Sequence, residues 1–448
     1  MNHPSAQRLT QGFGQEVLTM KRGISILVSF LILLVVSGDC FAQNRFEITP
    51  SISVGETYDD NINLTKNNKI DDFITVVSPG IALALVREHT NLQLGYTLGF
   101  VRYADQDENN ETRQSGNLSF GQDLAERLRF NLTDTYLVSE DPLQDPQNVQ
   151  GLRQTRNKYW TNTAGASVNY VFGAENQVNV GYSYYNIEND EATLDDSKVQ
   201  NPYVNLTYWF DVKNGTELKF GYTDAQFSRD DSRVLVASDY TAYAPGIRYI
   251  RRFSPNSRAY VGYNYSAYDY DDARLIPQDF VVHDGAVGLE HSFSPEYTVA
   301  ASAGYFIRVN DITDNQDGPT FTATVTRKFA RGSITGGGNG GWSYENLQQG
   351  VGLTSGFSQY YGAYLNGTYQ VLEPVSVYAG ASYRHDKYTL DKSDFFTGNA
   401  GLRWTFLRWF ALNLDYTYAQ RTADRSIGQE YTDNRVALFL TASKLYIW

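Results

Sequence analysis

Downstream of Gln43 the chain keeps a two-residue rhythm, in which apolar and polar side chains alternate in short segments that recur every ~20 residues with no helical period between them. Leu92, Leu94, Tyr96, Leu98 and Phe100 share one face, while Gln93, Gly95, Thr97 and Gly99 share the other. Residues 299–309, 375–383 and 412–418 repeat the pattern. Period two places the two sets on opposite faces of a strand, so each segment has one apolar and one polar face.

The connections fall into two alternating classes. Nine are short, from Arg87-Glu88-His89-Thr90 through Ser254-Pro255-Asn256-Ser257 to a turn near Arg408. Ten are longer and acidic, such as 105–111, 140–156, 189–197, 269–279 and 422–432. Nine and ten connections predict 20 strands, or 18 if one hairpin is miscounted. Apolar-out strands of this kind can stack as a soluble sandwich or close as a barrel in lipid, where no strand edge can stay unpaired. Turn asymmetry and tyrosine-rich strand ends favour the barrel. The expected fold is therefore all-β: a closed antiparallel transmembrane β-barrel over residues 43–448, with short periplasmic turns and long acidic extracellular loops.

Composition narrows the function. Thirty-seven Lys+Arg against 50 Asp+Glu give a formal charge of -13, which argues against nucleic acid as a partner. The single cysteine excludes a cysteine metal centre or an internal disulfide, and no metal or other cofactor is expected. A mean hydropathy of -0.42 leaves no room for a bundle of membrane helices. The one long apolar stretch, Ile24 to Val36, follows Met20-Lys21-Arg22 and precedes Ser37-Gly38-Asp39-Cys40-Phe41-Ala42. That order is a secretory signal peptide with cleavage expected after Ala42. Asp39 disfavours lipid attachment at Cys40, and the pattern makes Met20 a competing start to Met1. Residues 1–42 are read as extension plus leader, and the cell outer membrane as the destination.

The opening of the mature chain, Phe46-Glu47-Ile48-Thr49-Pro50-Ser51-Ile52-Ser53-Val54-Gly55-Glu56-Thr57-Tyr58-Asp59-Asp60-Asn61-Ile62, resembles the start of the second "BBP" family of outer-membrane β-barrel porins. The resemblance implies a porin-like channel, often encoded beside capsule or exopolysaccharide export loci, with periplasmic export components as partners. The final strand, from Arg435 to Trp448, carries Tyr446 and the terminal Trp448 and resembles the signal read by the barrel assembly machinery, although Lys444 stands where an apolar residue is usual. Lipid and lipopolysaccharide are the expected surroundings.

If the apolar faces meet lipid, the opposite faces line the lumen. Parity assigns Arg129, Lys219, Arg248, Arg308, Lys328, Arg384 and Arg403 to it, against Glu47, Asp284, Glu290 and Asp415. The wall reads as mildly basic, which would draw anions. Tyr260, Tyr268, Tyr360, Tyr364 and Tyr378 fall on the same face, where rings can stack on sugars. The plainer reading pairs the inward cations with inward carboxylates and leaves the tyrosines to fill space. The glycines of Ser333 to Trp342 lack the strand-to-helix setting and the Lys of a phosphate loop, and are read as letting a strand bend, or letting a loop or neighbouring side chain pack close to the wall. Asp195-Asp196, Asp230-Asp231 and Asp271-Asp272 match no calcium loop. No enzyme activity is expected; an adhesin and a hydrolase using rim residue His385, beside Arg384 and Asp386, are the alternatives.

Overall fold

The computed structural model describes residues 45–144, 156–192, 194–228, 239–271, 279–310, 315–345, 356–388, 391–425 and 430–448. The segment read as a leader, Cys40, both candidate starts, Asp230-Asp231 and Asp272 lie outside the described residues.

Twenty strands follow one another: β1 (Arg45–Asp59), β2 (Asp72–Arg87), β3 (Thr90–Tyr103), β4 (Glu111–Ala125), β5 (Leu128–Ser139), β6 (Tyr159–Val171), β7 (Gln177–Asn189), β8 (Asp196–Trp209), β9 (Asn214–Ser228) and β10 (Tyr240–Ser254) form the first half. The second comprises β11 (Ser257–Tyr270), β12 (Phe280–Ser294), β13 (Tyr297–Asn310), β14 (Gln316–Phe329), β15 (Gly332–Glu345), β16 (Gly356–Leu372), β17 (Val375–Tyr388), β18 (Lys392–Phe406), β19 (Phe410–Ala423) and β20 (Tyr431–Ser443). Every neighbour in sequence pairs antiparallel, and β20 closes the ring on β1 from Ser51↔Ser443 to Asp59↔Arg435. All nine short turns fall where the alternation places them. One of the ten other connections, between β17 and β18, is only residues 389–391.

Tyr446–Ile447 continue β20 in the same register, opposite Glu47 and Ile48. The ladder lapses at Lys444, whose N–H donates to the Pro50 carbonyl while Pro50 has no N–H to return. The Lys444 ammonium lies 4.6 Å from the Tyr446 ring centroid and 5.1 Å from that of Trp409, so the residue that breaks the apolar pattern sits against aromatic faces at the rim.

The alternation predicts the outward face well. At the short-turn rim it exposes Phe210, Phe293, Trp404, Trp409 and Trp448, and toward the other end Tyr182, Tyr243, Tyr305, Tyr361 and Tyr383. Between the two rings of aromatics lie residues such as Val180, Leu218, Ile247, Val261 and Leu289. Val261 is 53% exposed and Leu289 52%, a cost in water that lipid removes. Two aromatic girdles around an apolar band define a membrane barrel. Among the described residues no helix is long and apolar enough to cross a membrane.

Candidate functional site

The inner face is polar and wet along its middle. Ser115, Asn117 and Ser119 on β4, with Thr133 and Thr135 on β5, point inward and are exposed, which requires open volume in front of them. Several inward rings lie flat on the wall because a glycine on the next strand leaves room. A Cβ at Gly288 would run into Tyr260, one at Gly401 into Tyr378, one at Gly181 into Tyr203. At Gly337 it would lie 2.8 Å from the Tyr364 hydroxyl. Sequence parity found Tyr260, Tyr364 and Tyr378, but the glycine beneath each becomes visible only with the register.

Three of the seven predicted inward cations have carboxylate partners among the described residues. Arg129 reaches Asp123 at 3.4 Å, Arg248 reaches Glu217 at 3.3 Å, and Arg384 holds Asp386 at 2.8 Å. Arg248 also covers the Tyr260 ring at 4.5 Å, and Arg384 the Tyr360 ring at 4.4 Å. Tyr378 donates to Asp415. Among the described residues Lys219, Lys328 and Arg403 have no carboxylate within ion-pair distance; Lys328 and Arg403 sit near the short-turn mouth. Arg308 and Tyr268 do not line open lumen. Arg308 is wedged 4.6 Å from the Phe280 centroid and 4.8 Å from that of Phe357, and Tyr268 stacks on Phe280 at 4.5 Å.

His385 requires a correction. Arg384 and Asp386 face the lumen, but strand alternation turns His385 outward, where it stacks on Tyr361 at 4.8 Å and bonds Asp394 at 2.8 Å. Neighbours in sequence are thus on opposite faces of the wall, and the three do not form one site.

The long-loop mouth carries two plugs. The first is built on the words Tyr58-Asp59-Asp60-Asn61-Ile62. Tyr58 faces out against Phe73, while Asp59 points in and receives Arg156 at 3.0 Å and Arg435 at 3.1 Å. Asp60 accepts from the backbone and side chain of Asn434 at 2.8 and 2.7 Å. Asn61 donates to the carbonyls of Thr65 and Thr432, both at 2.8 Å, and so ties the 60–71 loop to β20. Ile62 is fully buried against Ile74, Val76 and Val101. Leu64, held at φ 49°, is buried with Phe395, Ala419 and Tyr431, against which Leu143 of the 140–158 connection also packs. A left-handed conformation at a branched residue costs roughly 1–2 kcal/mol, which this packing offsets.

The 140–158 connection completes this plug. Glu140 takes Arg113, with one contact at 2.9 Å, and Asp141 takes Arg435 at 2.8 Å and Arg156 at 3.8 Å. Arg156 also donates to the Tyr103 hydroxyl at 2.8 Å. Burial pushes the Asp141 carboxyl up, but Arg435, Arg156 and Arg113 around it outweigh that and hold it well below the usual carboxylate range. The carboxylates of Asp59, Asp60 and Asp433 converge to within 4.8 Å, but the arginines already supply the positive charge a metal would bring. Sequence reading missed this latch because Arg156 lies in a polar loop; the inward parity of Asp433 and Arg435 at the end of β20 was the available signal.

The second plug is aromatic. At the long-loop end β15 and β16 lean into the lumen, and Tyr344 packs 5.5 Å from Tyr240, 5.1 Å from Tyr268 and 5.6 Å from Phe280. Phe357 packs on Phe280 and Phe306 and stacks on Trp342. A hairpin of β15–β16 therefore touches β10 to β13, several strands away. The glycine run is where β15 turns inward: the β14–β15 ladder stops at Phe321↔Gly340.

A closed, aromatic-girdled barrel with a polar lumen defines the class as a membrane channel of the porin type. Residues 44–202 match the model of the family described as "Putative beta-barrel porin 2", so the resemblance carried by the first strand holds across the first seven strands and into β8. No curated protein matches the chain in sequence. Among solved structures the chain resembles the siderophore receptor PirA from Pseudomonas aeruginosa (9% identity, TM-score 0.51, covering 89% of this chain and 80% of that one). It also resembles the apoprotein form of the FrpB iron transporter from Neisseria meningitidis (8% identity, TM-score 0.55, covering 90% and 82%). At these identities the likeness is one of fold.

Proposed function

We propose that the chain is an outer-membrane channel serving as the outer component of exopolysaccharide or related export, with its short turns in the periplasm and its acidic loops outside. The observation that carries this reading is the exposed polar inner wall beneath a plugged long-loop mouth, an arrangement suited to a gated route for a hydrated solute. Barrels of 16 to 18 strands in general already enclose an aqueous channel, and this one has more. Flat tyrosines such as Tyr203, Tyr364 and Tyr378 offer ring faces to sugars passing along the wall. Lys219, Lys328 and Arg403, which lack an ion-paired carboxylate among the described residues, give the lumen a mild anion preference. Tyr446 and Trp448 serve as the terminal signal for the barrel assembly machinery, lipopolysaccharide surrounds the outer loops, and periplasmic export components deliver the polymer.

Planar-bilayer recordings under a KCl gradient test this. Chloride-directed reversal potentials, reduced in a Lys328→Gln/Arg403→Gln variant, are expected. A potassium-directed potential would overturn the charge assignment, and a barrel that stays closed even with a plug released would overturn the route.

A further inference from the structure

We propose that the long-loop ends of β15 (341–345) and β16 (356–359) form a lid on a glycine hinge, and that its open state is these same strand ends returned to the wall beside β14. This rests on the reading of the barrel as a route. Three ladders meet at this place and only one is cut short. β13–β14 pairing runs on to Arg308↔Gln316 and β15–β16 pairing to Glu345↔Gly356, but β14–β15 pairing ends at Phe321↔Gly340. Gln316–Thr320 of β14 and 341–345 of β15 are therefore two matching edges without each other. Continuing the existing register would set Gly318 opposite Ser343 and Gln316 opposite Glu345.

The sequence at the parting point suits a hinge. Gly336, Gly337, Gly338, Gly340 and Gly341 lead into the lid, and glycine supplies backbone freedom that a strand interior otherwise lacks. Pro319, which cannot donate to a ladder, stands on the vacated edge, where a proline is tolerated. Phe321 and Gly340 sit eight residues from the short-turn end, about 20 Å up the axis at ~3.3 Å per residue and ~40° tilt, near the top of a ~25 Å apolar band. A split there opens toward headgroups and water, which tolerate a parted ladder, whereas lipid tails do not.

The inward seat of these strand ends is specific. Tyr344 and Phe357 lodge among rings of β10 to β13, and Gln359 lies where a Cβ on Gly318 would go. Closing exchanges ladder hydrogen bonds for aromatic packing; opening reverses the exchange. Both states use the same residues, so the lid needs no partner chain.

The test uses the folded full-length barrel in vesicles. Cys40, the chain's one cysteine, lies in the segment read as a leader, so a Gly318→Cys/Ser343→Cys variant introduces a clean pair. Oxidation is expected to produce a reductant-reversible cross-link, seen as a gel shift, and a step increase in single-channel conductance that the reductant abolishes. In a separate Tyr268→Cys/Tyr344→Cys variant, a short bismaleimide is expected to hold the strand ends in and keep conductance at its closed level. The single-cysteine variants report folding through heat-modifiable migration. Absence of the Gly318–Ser343 cross-link in folded protein overturns the return to the wall, and a cross-link without a conductance step overturns its role as a lid. A cross-link that forms while no variant conducts at all upholds the movement and overturns the route instead.

Discussion

On one side of the long-loop mouth, a plug is held by buried charge; on the opposite side, a plug is held by stacked rings. Arg156 and Arg435 bind Asp59 and Asp141 within the sector bounded by β18 and β4, while Tyr344 and Phe357 pack against β10 to β13. The chemistry sets how each can fail. A buried ion network tolerates no missing member, because the partner left behind is a charge without water. Ring packing degrades by increments, each aromatic pair adding roughly 0.5–1.5 kcal/mol beyond its burial. The charged plug is thus suited to a chemical trigger, and the aromatic plug to a mechanical one.

The largest effect should come from Arg156→Met. Asp59 would then keep Arg435 as its one ion partner among the described residues, and the Tyr103 hydroxyl would lose its donor. Breaking a buried pair from one side costs about 3–5 kcal/mol, which should release the 140–158 connection. Limited proteolysis within that loop and a lowered temperature of heat-modifiable migration are the readouts. Tyr344→Ala should cost less and leave cleavage of that loop unchanged. Equal cleavage in both variants would show that the plugs are one unit, and the comparison would collapse.

The strands and turns of this barrel were legible because lipid demands one continuous apolar face, and a period of two records that demand in every segment. At Gly336–Gly341 the sequence offered two readings, a bend or close packing against the wall, and the structure holds both: the ladder parts at Gly340, and Gly337 makes room for Tyr364. The plugs were not legible for a physical reason: alternation tells which way a side chain leaves the wall, not what crosses the lumen to meet it. Parity assigns Arg308 and Tyr268 to the inward face, yet the strand ends of another hairpin pack against them. Trp342 and Tyr344 share the parity of outward Ile334 and still end among inward rings, because β15 leaves the wall before reaching them. Asp134 shows the converse. It shares outward parity with Leu132 and Tyr136, and the structure keeps it there, bonded to Asn162 at 3.2 Å, against the apolar pattern of its strand.

Acid separates the plugs by a smaller margin. Because the Asp141 carboxyl is held below its unfolded value, its contribution to the latch is complete above about pH 4 and fades only as pH falls through the lower folded value. Conductance recorded from pH 7 downward should therefore hold steady to about pH 4 and rise below it. The rise should persist when Tyr344 is alanine and vanish in Arg156→Met, where the latch is already open. A midpoint near pH 6 would point to another group and remove Asp141 from the account.

The smallest effect is expected at the rim, where Lys66 of the 60–71 loop bonds Glu430 beside β20. Lys66 is half exposed, and its hydrogen bond draws the Glu430 carboxyl below its ordinary value. Exposed pairs of this kind contribute little and are screened over about 3 Å in 1 M salt. Lys66→Gln should raise proteolysis of the 60–71 loop slightly at low ionic strength, and 1 M KCl should do the same to the wild type. The two should not add, since both remove one contact. Arg156, with 2% of its side chain exposed, lies beyond the reach of that screening. If 1 M KCl frees the 140–158 connection as fully as Arg156→Met, water already bathes the latch, and the distinction between a charged and an aromatic plug fails at its foundation.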